Sequence, residues 1–129
     1  MSITHSVLRQ YADASSNRIQ LSETIVGGTE KNLDPSIAVG ANTLVPFTLD
    51  RSILKSLCIS SDVAITVYTN AASTGSPTDT ISIAAGEARI WTLATDTLAR
   101  CPITANITAL YITNAAGGPS AFKLRSIST

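Results

Sequence analysis

Val67-Tyr68-Thr69-Asn70-Ala71-Ala72 is answered 44 residues later by Tyr111-Ile112-Thr113-Asn114-Ala115-Ala116. Each copy closes a run in which β-branched and polar residues alternate. Each then passes into a turn, Gly75-Ser76-Pro77 in one case and Gly117-Gly118-Pro119 in the other. Period-two alternation sets one face of a strand on a core and the other in water, and Gly with Pro ends it. A chain made of such pieces folds as a small antiparallel β domain. A six-residue echo, with only Thr-Asn-Ala-Ala identical, is too short to establish a duplication, because two hairpins meeting the same turn requirement can converge on the same residues.

The other runs follow the same rule. Residues 3–12 and 17–26 read as a first pair of strands around Asp13-Ala14-Ser15-Ser16-Asn17. In the second, Ile19, Leu21 and Ile25 share a face that Glu23 interrupts, which marks an edge or a contact surface rather than a central strand. Gly27-Gly28 ends it, and the polar stretch 29–35, closing on Asp34-Pro35, reads as a turn. Residues 43–49 place Val45, Phe47 and Leu49 on one side. Pro46, which has no amide hydrogen, puts that strand at an edge or a bulge. Asp50 is placed to cap one helical turn over 51–57, with Ile53, Leu54 and Leu57 plugging an end of the core. Short strands follow at 62–69, 80–83 and 88–94, and 107–113 reads as facing 121–127 across Gly117-Gly118-Pro119. About eight strands with one helical turn predict an all-β fold, a small antiparallel sandwich or flattened barrel forming one domain over residues 1–129.

Composition narrows the function classes. Charged residues are 14% of the chain, about half the usual share. Nine Lys and Arg balance nine Asp and Glu, so 16 Ser and 17 Thr supply much of the polar surface. Hydroxyls keep a surface wet without repulsion between copies, which favours a protein that sits in an assembly. The scattered charge offers no phosphate-tracking groove, so no nucleic-acid partner is expected. No stretch approaches 18 apolar residues, and Met1-Ser2-Ile3-Thr4-His5-Ser6 lacks the build of a signal peptide; the chain is expected to be made in the cytoplasm, with no membrane partner. Cys58 and Cys101 read as small buried hydrophobes, with pairing after release from a cell as the alternative.

No constellation for chemistry stands out. The sole histidine, His5, has no second ligand or catalytic partner nearby in sequence, so no metal, cofactor or triad is expected. Asp34, Asp50, Asp62, Asp79, Glu87 and Asp96 sit beside turn residues, where a carboxylate accepting amide bonds is routine. Calcium at Asp62 or Asp79 lacks a spaced acidic loop, and neither Gly-Gly pair opens a phosphate loop. The protein is therefore expected not to be an enzyme. The contact candidates are Trp91, Tyr68, Tyr111 and Pro46. Trp91 neighbours Ile90 in a strand, so one of the two faces outward unless a bulge intervenes. It is a core residue, a protein contact or a sugar-stacking platform. Tyr68 and Tyr111 both stand just before the shared Thr-Asn-Ala-Ala and raise the same question.

Pro46-Phe47-Thr48-Leu49-Asp50, Leu54-Lys55-Ser56-Leu57 and Ser61-Asp62 form an ordered series with Thr66-Val67-Tyr68-Thr69-Asn70, Thr78-Asp79-Thr80-Ile81 and Ala85-Gly86-Glu87. Thr108-Ala109-Leu110-Tyr111-Ile112-Thr113-Asn114 completes it. The series, within residues 43–127, resembles small structural proteins encoded beside the capsid genes of tailed bacteriophages. The resemblance implies a virion protein of decoration or cement type that self-associates and bridges major capsid or other virion proteins on the outside of the head. A tail or neck component is the nearest rival, and a carbohydrate-binding sandwich module is another reading. Residues 1–40 lie outside the resembling region and are expected to form an N-terminal arm or simply the first two strands.

Overall fold

The computed structural model describes residues 2–15, 17–94 and 96–129; Met1 of the opening segment and Ser16 of the first turn lie outside the described residues. Twelve strands run in chain order: β1 (Ile3–Ala12), β2 (Arg18–Gly27), β3 (Thr29–Leu33), β4 (Ser36–Ile37), β5 (Gly40–Val45), β6 (Leu54–Ser60), β7 (Ile65–Thr69), β8 (Thr80–Ile83), β9 (Ala88–Thr92), β10 (Leu110–Asn114), β11 (Ser120–Ala121) and β12 (Lys123–Ser128). Two single 3-10 turns, Arg51–Ile53 and Leu98–Arg100, are the helical elements among the described residues.

Two four-stranded antiparallel sheets carry the core, ordered β3-β12-β6-β9 and β5-β10-β7-β8. Their pairing is nested. β7 pairs with β8 at the inner end, β6 with β9 and β5 with β10 outside that, and β3 with β12 outermost. The two-residue pair β4–β11 fits the same nesting between the outermost two. The segment from Thr29 to Ser128 is thus one long hairpin rolled into two layers, and every link between successive sandwich strands except β7–β8 changes sheet. This winding is a jelly roll, the double Greek key that closes most of its own edges. Alternation buries Val45, Ile65, Val67, Ile81, Ile83, Leu110 and Ile112 from one sheet against Leu57, Ile59, Trp91, Phe122 and Leu124 from the other.

Three expectations are corrected, and the choice between Ile90 and Trp91 is decided for a core tryptophan. Residues 29–33 form strand β3, not a turn. Its Lys31 places Nζ over the Phe47 ring, 5.7 Å from the centre, and donates to the Thr48 carbonyl. Asp50 does cap a turn, accepting from the Ser52 amide at 2.9 Å, but the turn ends at Ile53. Leu54 onward is strand β6, and Ile53 is exposed. Residues 107–113 and 121–127 do not pair; β10 and β12 lie in opposite sheets, and the Gly117-Gly118-Pro119 segment carries the chain between layers. Trp91 faces the core, 2% exposed, with its indole N–H donated to the Thr97 carbonyl at 3.0 Å, and Ile90 takes the outer face.

The echoed motif has a local cause. β7 and β10 are neighbours, and Tyr68 stands directly opposite Tyr111. The Asn at each strand end ties a loop. Asn70, at φ +68°, accepts from the Thr108 amide and donates to Thr78 Oγ1 and the Asn106 carbonyl. Asn114 donates to the carbonyls of Ile37 and Gly118 and accepts from the Ala116 amide. Beside them, buried Asp79 takes hydrogen bonds from the Thr69 hydroxyl and from the Thr104 amide and hydroxyl.

Among the described residues β1 and β2 pair only with each other, over ten register positions. The hairpin's base sits on the outer face of the β3-β12-β6-β9 sheet. Gly27 passes so close that a Cβ there would lie 2.3 Å from both Ile127 Cγ2 and the Ser128 carbonyl oxygen. Ile25 is buried, Lys55 Nζ donates to the Val26 carbonyl, and the Thr92 hydroxyl donates to Glu23. β2 therefore crosses the strands beneath it from β12 to β9.

Replacing Gly27 with Ala should lift the hairpin and leave the sandwich intact, seen as faster amide exchange confined to β1 and β2. Asp79→Ala should orphan the Thr69 and Thr104 donors and cost about 2–3 kcal/mol in urea unfolding.

Candidate functional site

Beyond its base the hairpin runs past β9, and residues 10–15 and 17–22 are exposed on both faces. The register places Tyr11 opposite Ile19 and Arg9 opposite Leu21, so these four share the face that, nearer the base, packs on the body. Tyr11 is 67% exposed, Ile19 74% and Leu21 44%, and Leu8 on the reverse face is 56%. An isolated two-stranded ribbon is marginal in water, and uncovered aromatic and aliphatic side chains along it act as adhesive groups. The loop at its end is polar and well tied, with the Asp13 carboxylate accepting from the Ser15 and Asn17 amides and from Asn17 Nδ2. Those three bonds hold Asp13 below its ordinary pKa, the Asn17 side chain contributing most.

Of the residues singled out from sequence, three share a different surface. Tyr68, Tyr111 and exposed Pro46 lie on the outer face of the β5-β10-β7-β8 sheet, where the register aligns Leu44, Tyr111, Tyr68 and Thr80 in one row. Both tyrosines are half-buried, and Pro46 is one residue past the end of edge strand β5. Trp91 is not among them, so its reading as an exposed contact or sugar platform is withdrawn. Glu23, which breaks the apolar face in the sequence, is 8% exposed and anchors the hairpin. Leu8 and Tyr11 were missed by sequence reasoning. The available signal was the length of two alternating ten-residue runs with no third strand nearby to cover them.

Between the hairpin and the sheet lies a half-open cleft of about 400 Å³. His5 bonds Glu30 at 2.8 Å across one end. That imidazole, and secondarily the Asn32 amide group, hold the Glu30 carboxyl below its ordinary range. Burial pushes the Cys58 and Cys101 thiols up, and neither is in a disulfide. Asp62 accepts from the Ala121 amide at 2.7 Å. Among the described residues no three His, Cys, Asp or Glu side chains gather where they could hold a metal ion, and no helix is long and apolar enough to cross a membrane.

Because the Glu30 carboxyl is depressed on folding, its stabilisation is complete above the unfolded value of 4.5 and is lost as pH falls through the lower folded value. The hairpin base should therefore loosen only below pH 4.5, tracked by β1 amide chemical shifts, and His5→Ala should blunt that response. The chain matches no family model, no curated protein and no solved structure.

Proposed function

We propose that this chain is a non-enzymatic structural protein of a virion, a decoration or cement subunit that binds between capsid proteins and stabilises the head. One observation carries the reading: a jelly-roll body holds out a long hairpin whose Leu8, Tyr11, Ile19 and Leu21 stand exposed along it. The arm is shorter than residues 1–40, since 29–33 already belong to the sandwich. The resemblance over residues 43–127 gives the virion context. The jelly roll adds fold-level support only, because viral capsid domains and lectins both use it.

The mechanism is adhesive. Many copies on a symmetric shell repeat one modest contact, and a subunit that touches two neighbours turns each weak contact into a joint restraint. Apolar burial contributes roughly 25 cal/mol per Å², with much of that offset by the cost of association. Zero net charge permits dense placement of copies, and self-association belongs to the same proposal. The partner is the major capsid protein or another virion protein, and a tail or neck position uses the same adhesive surface.

A carbohydrate-binding sandwich is the second reading, favoured by the side-by-side Tyr68 and Tyr111 and the hydroxyls of Thr66, Thr80, Ser82 and Thr113 on the same sheet face. Tyrosine fluorescence titrated with host polysaccharide tests it, and Tyr68→Ala should abolish any response.

Expanded shells with the protein bound should withstand heat or pressure that bursts bare ones. Ile19→Asp with Leu21→Asp should lower shell affinity about tenfold or more, equivalent to about 1.4 kcal/mol per tenfold. Shells that burst alike with and without the protein would refute the cement role.

A further inference from the structure

The hairpin covers only part of the sheet beneath it, and the uncovered part has a definite shape. Register aligns the outward side chains of that sheet in rows across the strands. Ile127, Ser56 and Thr92 form one row, and all three are buried under β2. Arg125, Cys58 and Ile90 form the next row, and they make the floor of the cleft. Here Cys58 is half-buried and Ile90 is 38% exposed.

The cleft's other wall is His5, Ser6, Val7 and Leu8 in sequence. β2 lies over the Ile127-Ser56-Thr92 row and the cleft over the next, so the cleft opens on the side of the hairpin where β1 presents the backbone edge that β2 does not pair. That edge is bare: β1 pairs with β2 alone, and among the described residues no backbone hydrogen bond reaches residues 5–8 from any other strand. A strand added there would lie about 4.8 Å from β1, on the side where the Arg125-Cys58-Ile90 row floors the cleft.

Charge selects the kind of segment. Arg125 is engaged by Asp34 at 2.7 Å, and Glu30 by His5. Arg9, the next residue after Val7 on the same face of β1, has its Nη2 atom buried without a hydrogen-bond partner. A carboxylate on an incoming strand would complete it.

We propose that the outer edge of β1 and the row Arg125-Cys58-Ile90 accept an extended segment of another protein chain as a third strand, with an acidic residue of that segment meeting Arg9. Main-chain hydrogen bonds to β1 hold the segment, alternate side chains fill the cleft over Cys58 and Ile90, and Arg9 sets the preference for a carboxylate. The proposal deepens the adhesive reading by assigning it a second contact besides the hairpin's distal half.

The test uses the whole isolated protein and a display library of random peptides of about eight residues. Peptides retained by the wild type and rejected by Cys58→Trp and Ile90→Glu should alternate apolar residues and carry Asp or Glu. The bound peptide should slow exchange of outward amides within His5–Leu8 about tenfold or more. Arg9→Leu, which keeps a strand-compatible side chain, should lose the acidic preference. The inference is overturned if no peptide distinguishes the wild type from the two cleft variants, or if bound peptides leave β1 exchange unchanged. Neither result touches the shell experiment with Ile19 and Leu21, which stands or falls separately.

Discussion

The pairing of the first sandwich strand with the last holds the architecture together. β12 lies between β3 and β6, so the C-terminal six-residue strand supplies hydrogen bonds to both. Phe122 and Leu124 bring the core to the same place. Until that segment arrives, β3 has no partner and the hairpin has no floor, because Ile127 is the side chain on which Gly27 rests. Nested non-local pairing of this kind is slow to form, since loop closure is paid before distant contacts return anything. Close packing at Gly27 then makes the docked hairpin depend on a body already assembled.

The sheets were legible where alternation was clean. Ile65 and Val67, Ile81 and Ile83, and Phe122 and Leu124 all face inward as their spacing predicts. Failures came where a local signal outweighed a distant one. Thr29–Leu33 holds one large apolar residue and reads as a turn, yet it is a strand because β12 offers a partner ninety-odd residues away and Lys31 sets its ammonium over the Phe47 ring. Asp50 announces a helix start, and the alternation of the following strand overrides it within one turn. The partner of 121–127 could not be read from adjacency, because a jelly roll joins almost every strand to one in the opposite layer.

The surfaces were less legible than the core, for a physical reason. Which of Ile90 and Trp91 faces out depends on the register with Leu57 and Cys58, which no spacing inside β9 reveals. The tyrosine pair was named residue by residue, but its being a pair depends on β7 and β10 lying side by side. The hairpin's exposure follows from the absence, among the described residues, of a third strand or a second layer over its distal half. Cys58 likewise looks like an inert core residue in sequence and is instead part of a cleft floor.

One residue, Gly28, separates β2 from β3, and its amide is bonded to the Ser128 carbonyl at 2.9 Å. The hairpin therefore has no slack tether. A pull along β3 enters the five consecutive pairings between β3 and β12 at once, and ladders loaded lengthwise share force among all their rungs instead of breaking one at a time. A grip on the arm is thereby a grip on the sandwich, and mechanical strain from whatever holds Tyr11 and Ile19 is borne by the seam between β3 and β12.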